Sequence, residues 1–267
     1  MKNTGRKRLT AVSAGHWFRL FYRSALFIAA VIIYIIRRVN GEGSMLSFAE
    51  RIPLVLLIIW FSFMVEMTGR FFPSRLASPG CEKQFAAHYI PTGETKIVLH
   101  DNNATVLVLL LWIALNAVFG GCYLSGWIDE DIMLLLCLAY SVCDMVCILF
   151  FCPFQTWFLK NKCCGTCRIY NWDYAMMFTP LFFVRRVYTW TLLAAAVALL
   201  LRWEITVWRH PERFSERTNA YLHCENCTEK LCTHKKQLRV LWERLRVEEK
   251  LREARLLLPG GKGKKNA

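Results

Sequence analysis

Acidic residues are scarce in this sequence. Its 267 residues hold 20 Asp and Glu against 34 Lys and Arg, a net charge of +14 at neutral pH. That excess comes without a recognised nucleic-acid-binding motif, so no nucleic-acid partner is expected. A Gly-rich phosphate loop and an H-E-x-x-H segment are also missing, which removes two common enzyme signatures and turns the reading away from an enzyme. No small-x-small cleavage site follows the first apolar run. Arg37 and Arg38 stand there instead, which excludes a cleavable signal peptide as the reading of that run. No internal repeat is visible.

Apolar sequence is abundant. The chain is 55% hydrophobic and 14% aromatic, and several runs approach the length of about 20 residues that crosses a bilayer as a helix. The expected fold is an all-α, polytopic membrane helix bundle of four to five spans, with a C-terminal Cys-rich module and an amphipathic helix. A basic tail occupies residues 1–16 and the bundle residues 17–208, with candidate spans at 17–36, 52–68, 104–127, 132–151 and 187–207. Residues 209–267 form the tail. In the first run Arg19 and Arg23 are expected to snorkel to the headgroups. Glu66 and Arg70, four apart at the end of the second, read as interfacial charges in headgroup water. Residues 71–103 read as a loop. Gly120, Gly121 and Gly126 close the third span and permit close helix approach.

Twelve cysteines are many. Cys122, Cys137, Cys143, Cys147 and Cys152 lie in apolar runs and read as small hydrophobes. Two other groups are polar. Cys224, Cys227, Cys232 and His234 follow the pattern C-x2-C-x4-C-x-H. Two thiolates from one tight turn, a third thiolate and an imidazole suit zinc, and thiolates at short spacing also hold iron–sulfur clusters. Cys163, Cys164 and Cys167 form the second group, in which Gly165 permits the turn of a C-x2-C. They read as half a metal site, a redox pair or inert thiols. Residues 235–258 form one amphipathic helix, with Leu238, Leu241 and Leu245 on a common face. It can engage a protein partner, and its basic flanks can engage anionic lipid.

Charged and amide groups inside apolar runs are the other candidates. Asp144 lies near the middle of the fourth run and Asn116 near the middle of the third, so that Asp144 reads either as a functional carboxyl or as a helix-packing hydrogen-bond partner of Asn116. A carboxyl in hydrocarbon is costly unless it faces protein or water. Arg185 and Arg186 interrupt the last apolar stretch. They fit either an interface or a bundle position facing Asp144. The short acidic connection Asp129–Asp131 carries no Lys or Arg, which makes it the candidate for the non-cytoplasmic side. A fifth full span would then export the basic tail. A last stretch broken at Arg185–Arg186 would keep both cysteine groups in the cytosol. An interfacial first run would instead leave four spans. A cytoplasmic tail is the favoured outcome.

The segments Cys163-Cys164-Gly165-Thr166-Cys167-Arg168-Ile169-Tyr170-Asn171-Trp172-Asp173-Tyr174 and Cys224 to Lys236 resemble Cys-rich multi-pass membrane proteins of anaerobic Firmicutes. The resemblance implies a bacterial plasma membrane and a reducing cytosol, and it brings no activity or catalytic residue with it. The leading expectation is an integral membrane protein with a zinc-binding Cys3His module in a structural or partner-binding role. The alternatives are a membrane redox protein with an iron–sulfur site and an ion-coupled transporter using Asp144.

Overall fold

The computed structural model describes residues 11–73, 82–99, 102–159 and 164–226. Cys81, Cys163, Cys227, Cys232, His234 and the segment 235–258 lie outside the described residues, as do the side chains of Cys164 and Cys224. The chain divides into two compact units, Met1–Glu229 and Lys230–Ala267. All the described helices belong to the first. Among the described residues the secondary structure is helical, with an isolated bridge between Pro91 and Asn219.

Helix α1 runs Ala11–Val39, α2 Met45–Glu50 and α3 Pro53–Thr68. Then come α4 (Asn102–Leu124), α5 (Glu130–Leu149), α6 (Asp173–Phe178) and α7 (Val187–Arg209). Four of them, α1, α4, α5 and α7, are long and apolar enough to cross a membrane. α3 is apolar but has 16 residues, or about 24 Å at 1.5 Å per residue. Its Pro53 sits at the first turn, where the missing N–H costs nothing. Large apolar side chains such as Phe21, Ile32, Leu57, Phe61, Leu110 and Val118 are exposed along these helices. Water would penalise so wide an apolar surface, whereas lipid does not.

Helix directions follow from contacts at the two ends. Arg38 at the end of α1 faces Asp129 before α5 at 3.8 Å. At the opposite end Trp17 meets Phe150 edge-on, with ring centroids 5.4 Å apart. α1 and α5 are therefore antiparallel. The turn from α1 into α2 is fixed by Asp131, whose carboxylate accepts from the Ser44 hydroxyl at 2.6 Å and from the Met45 and Leu46 amides at 2.7 and 3.0 Å. The acidic connection is thus a capping device: Asp129 caps its own helix through the Ile132 amide.

The last apolar stretch is two arms, not one span. From Arg168 to Phe183 the chain forms a 3₁₀ turn, α6 and a second 3₁₀ turn (Thr179–Phe183), and these lie antiparallel to α7. Trp172 and Arg168 meet Glu204 at one level, and Thr189 donates to the Val184 carbonyl at the other. From Thr189 to Glu204, α7 rises about 22 Å, so the irregular arm covers most of its length. Tyr174, Met177, Phe178, Leu181 and Val184 of this arm are buried. Arg185 and Arg186 form the tip between the arms. An unsupported hairpin would not hold arginines there at low cost, but here Arg186 pairs with Glu50 at 2.8 Å and Glu130 at 3.6 Å. The irregular arm packs against α5, and α7 packs against α3, where Trp60 donates to Thr191 of α7 at 2.9 Å. The close approach anticipated for the glycines is made by Gly120 alone of its pair. A Cβ there would lie 2.3 Å from the Phe183 ring, whereas one on Gly121 would meet nothing within 4 Å. Gly126 adopts φ +78°, a turn conformation glycine tolerates.

Candidate functional site

The polar centre of the bundle is Arg23. Its side chain is fully buried, and it sits on α1 where the helix crosses α5 and α3. Nη2 donates to Glu66 Oε2 at 2.6 Å and lies 3.4 Å from the Tyr174 hydroxyl. Nη1 donates to Asp144 Oδ2 and to the Ser141 carbonyl, both at 3.1 Å. The Tyr174 hydroxyl donates to the same Glu66 oxygen at 2.8 Å, and Arg19 reaches the other at 3.4 Å. One guanidinium therefore ties α1, α3, α5 and α6 together. A second pair stands beside it, Arg70 with Asp173 at 2.6 and 2.7 Å. The Tyr174 ring lies between the two arginines, 4.5 Å from Arg70 and 5.8 Å from Arg23, a cation–π arrangement strengthened by exclusion of water.

Three arginines thus face three carboxylates, contributed by separate elements. Expected snorkelling of Arg23 does not occur: turning inward gives it two carboxylates and a phenol, a better-matched environment than the headgroup route. Glu66 and Arg70 are not surface charges either. Each is paired across the bundle rather than with the other. His16, one helical turn from Arg19, is 1% exposed, and neither of its ring nitrogens has a hydrogen-bond partner.

The predicted membrane residues separate. Asp144 belongs to the network. Asn116 is buried on α4 and donates to Trp112 O of its own helix at 2.9 Å, so it is not the partner of Asp144. Arg185 and Arg186 sit at the hairpin tip, well away from Asp144. Arg186 stays protonated far above neutrality, held first by its hydrogen bond to Glu50 and then by Glu130. Sequence reasoning missed His16, Arg23, Glu66, Arg70, Asp173 and Tyr174 as one cluster. The available signal was sign: two cations, Arg19 and Arg23, in the first apolar run and lone anions in the second and fourth.

The cysteine group at 164–167 and the backbone leading to Cys224 both lie at the end of the bundle where α1 begins. Residues 82–99 stand between them. Gln84 donates to the Gly165 carbonyl at 2.8 Å and accepts from Asn171 at 2.7 Å. On the other side Asn219 donates to the Lys83 carbonyl at 3.1 Å, and the Ala220 amide bonds Ile90 O at 2.8 Å. Gln84 and Asn219 are fully buried, so these ties are interior ones. Cys167 is 5% exposed. Over 82–99 the expected loop is borne out as mostly exposed coil with one 3₁₀ turn, Ala86–His88, and its buried part, Lys83–Phe85, clamps the two segments together. Among the described residues no cluster of His, Cys, Asp or Glu could hold a metal ion; the ligand set Cys224, Cys227, Cys232 and His234 falls outside them. Of the apolar-run cysteines, Cys122, Cys137 and Cys143 are free thiols.

Comparison with protein-family models, curated proteins and solved structures finds no match to this chain.

Proposed function

We propose that this is an integral membrane protein whose bundle presents two cysteine groups on one side of the bilayer, where Cys224, Cys227, Cys232 and His234 hold a zinc ion that shapes the tail for a protein partner. The observation that supports it is the buried clamp at Lys83 and Gln84, which bonds both the Gly165 turn and the Asn219 segment leading to Cys224. Thiolate and imidazole ligands suit zinc, and ligation would order a segment too short to fold alone. Charge favours the cytosolic side for this end. Lys83, Lys96, Arg168, Arg209, Arg213 and Arg217 gather there, and positive loops stay inside. The amphipathic segment 235–258 then serves as the partner-binding element, with anionic headgroups near its basic flanks.

Metal analysis of protein purified without oxygen tests this. About one zinc per chain, lost in Cys227→Ser, is expected. A preparation without bound metal sinks the reading. Iron with labile sulfide and visible colour would replace it with a redox protein in which Cys163, Cys164 and Cys167 also serve as ligands. A second reading, an ion-coupled membrane protein, draws on the Arg23 network around Asp144.

A further inference from the structure

The carboxylates of the network are not equally supplied with donors. Glu66 accepts from Arg23 and Tyr174 on one oxygen, with Arg19 against the other. Asp173 takes a two-point contact from Arg70 and the amide of Tyr174 at 2.8 Å. Asp144 has one donor, Arg23 Nη1 at 3.1 Å, and that nitrogen is shared with the Ser141 carbonyl. Arg23 carries one positive charge and faces two carboxylates. Arg19 makes up the difference at Glu66, whereas Asp144 has no second cation within ion-pair distance and feels Arg70 only at longer range. The Asp144 side chain also keeps 15% of its surface accessible, against none for Arg23. It is the network carboxylate with the fewest donors, at an accessibility close to that of Glu66, whose side chain keeps 11%.

We propose that Asp144 is a proton-binding site within the bundle, taking up and releasing one proton while Glu66 stays ionised between Arg23 and Arg19. The step moves a proton from solvent to a carboxylate oxygen of Asp144 and involves no electron transfer. The groups acting on Asp144 are Arg23 of α1, Arg70 after α3, Asp173 of α6 and Cys143 beside it on α5. Glu66 and Tyr174 act through the other side of Arg23, and His16 lies in the field of Arg19, Arg23, Arg70 and Glu66. Protonation leaves Arg23 matched one-to-one with Glu66 and removes the Arg23–Asp144 ion pair, one of the ties between α1 and α5. Deprotonation restores it. The network can thus convert proton binding into a change in how firmly these two helices are held. The inference names the ion for the second reading above and is independent of the cysteine site, since a metal-free preparation carries the same carboxyl.

Infrared spectroscopy of the full chain in lipid nanodiscs tests it, with spectra taken from about pH 5 to 9. One protonated-carboxyl C=O band that fades as pH rises is expected. Asp144→Asn should abolish that band. Glu66→Gln should keep it but move its midpoint to lower pH, because Arg23 then serves Asp144 alone. Absence of any such band from the wild type overturns the proposal, as does a band unchanged in Asp144→Asn. Where that variant fails to assemble, an unmoved midpoint in Glu66→Gln overturns it. A titrating Asp144 in vesicles that move no protons would retire the transport reading and leave the site standing.

Discussion

Replacing Arg23 by methionine keeps much of the side-chain length and removes the charge. The structure sets the size of the effect. Arg23 contacts four acceptors, two of them carboxylates, and is fully buried. Breaking a buried ion pair by deleting one partner costs about 3–5 kcal/mol, because the remaining charge is left uncompensated. Two carboxylates remain here, with Arg19 helping only Glu66. Arg23→Met is therefore expected near the upper part of that range. The same argument makes a second, less intuitive forecast: neutralising the stranded carboxylates should restore stability. Arg23→Met combined with Glu66→Gln and Asp144→Asn is expected to recover at least half of the loss, a strong departure from additivity. Unfolding by SDS in mixed micelles, followed by tryptophan fluorescence, measures all three proteins. A single variant within about 1 kcal/mol of wild type, or a triple variant no more stable than the single, would refute the reasoning.

Two further substitutions probe the packing and the clamp. Gly120→Ala is expected to destabilise by about 1–3 kcal/mol through the Phe183 ring, and Gly121→Ala to be neutral, a contrast read by the same SDS titration. Glu204→Ala removes the acceptor that holds both Arg168 and Trp172. It should loosen the Cys167 turn by about 1.5–3 kcal/mol and raise maleimide labelling of Cys167 at least tenfold, as counted by mass spectrometry. Unchanged labelling would show that Gln84 and Asn171 hold the turn without it.

The long helices were legible because length and apolarity alone demand them: α4, α5 and α7 lie close to the runs at 104–127, 132–151 and 187–207. α1 was misjudged at its start. Its first turns carry His16, Arg19 and Arg23, and polarity was read as an interface when it marks a buried seam. Nothing in local sequence distinguishes those cases, since the partner carboxylates stand 43 and 121 residues away. The segment 168–183 was obscure for another reason. It is apolar like a membrane helix, but it is assembled from short turns whose shape comes from the surrounding helices. Asp144 was found because a carboxyl in an apolar run is anomalous whatever surrounds it. Its partner was not found, because Asn116 and the arginine pair were equally available on the page of the sequence. The clamp at Lys83 and Gln84 was hidden by its polar, proline-bearing surroundings. Its order comes from Gln84 and Asn219, whose partners are distant in sequence.

The hairpin has a consequence for how the protein is made. Synthesis proceeds from α1 onward, so Arg23, Glu66 and Asp144 can find one another before either arm exists. Arg70 cannot: Asp173 is 103 residues downstream. Throughout that interval the nascent bundle carries an arginine without its anion and a crevice where Tyr174 and Phe178 will sit. A ribosome halted before residue 173 would release an intermediate of just this kind, helical and membrane-bound but exposing an unmatched cation. The Arg70–Asp173 pair can thus form only once the chain has been made past residue 173.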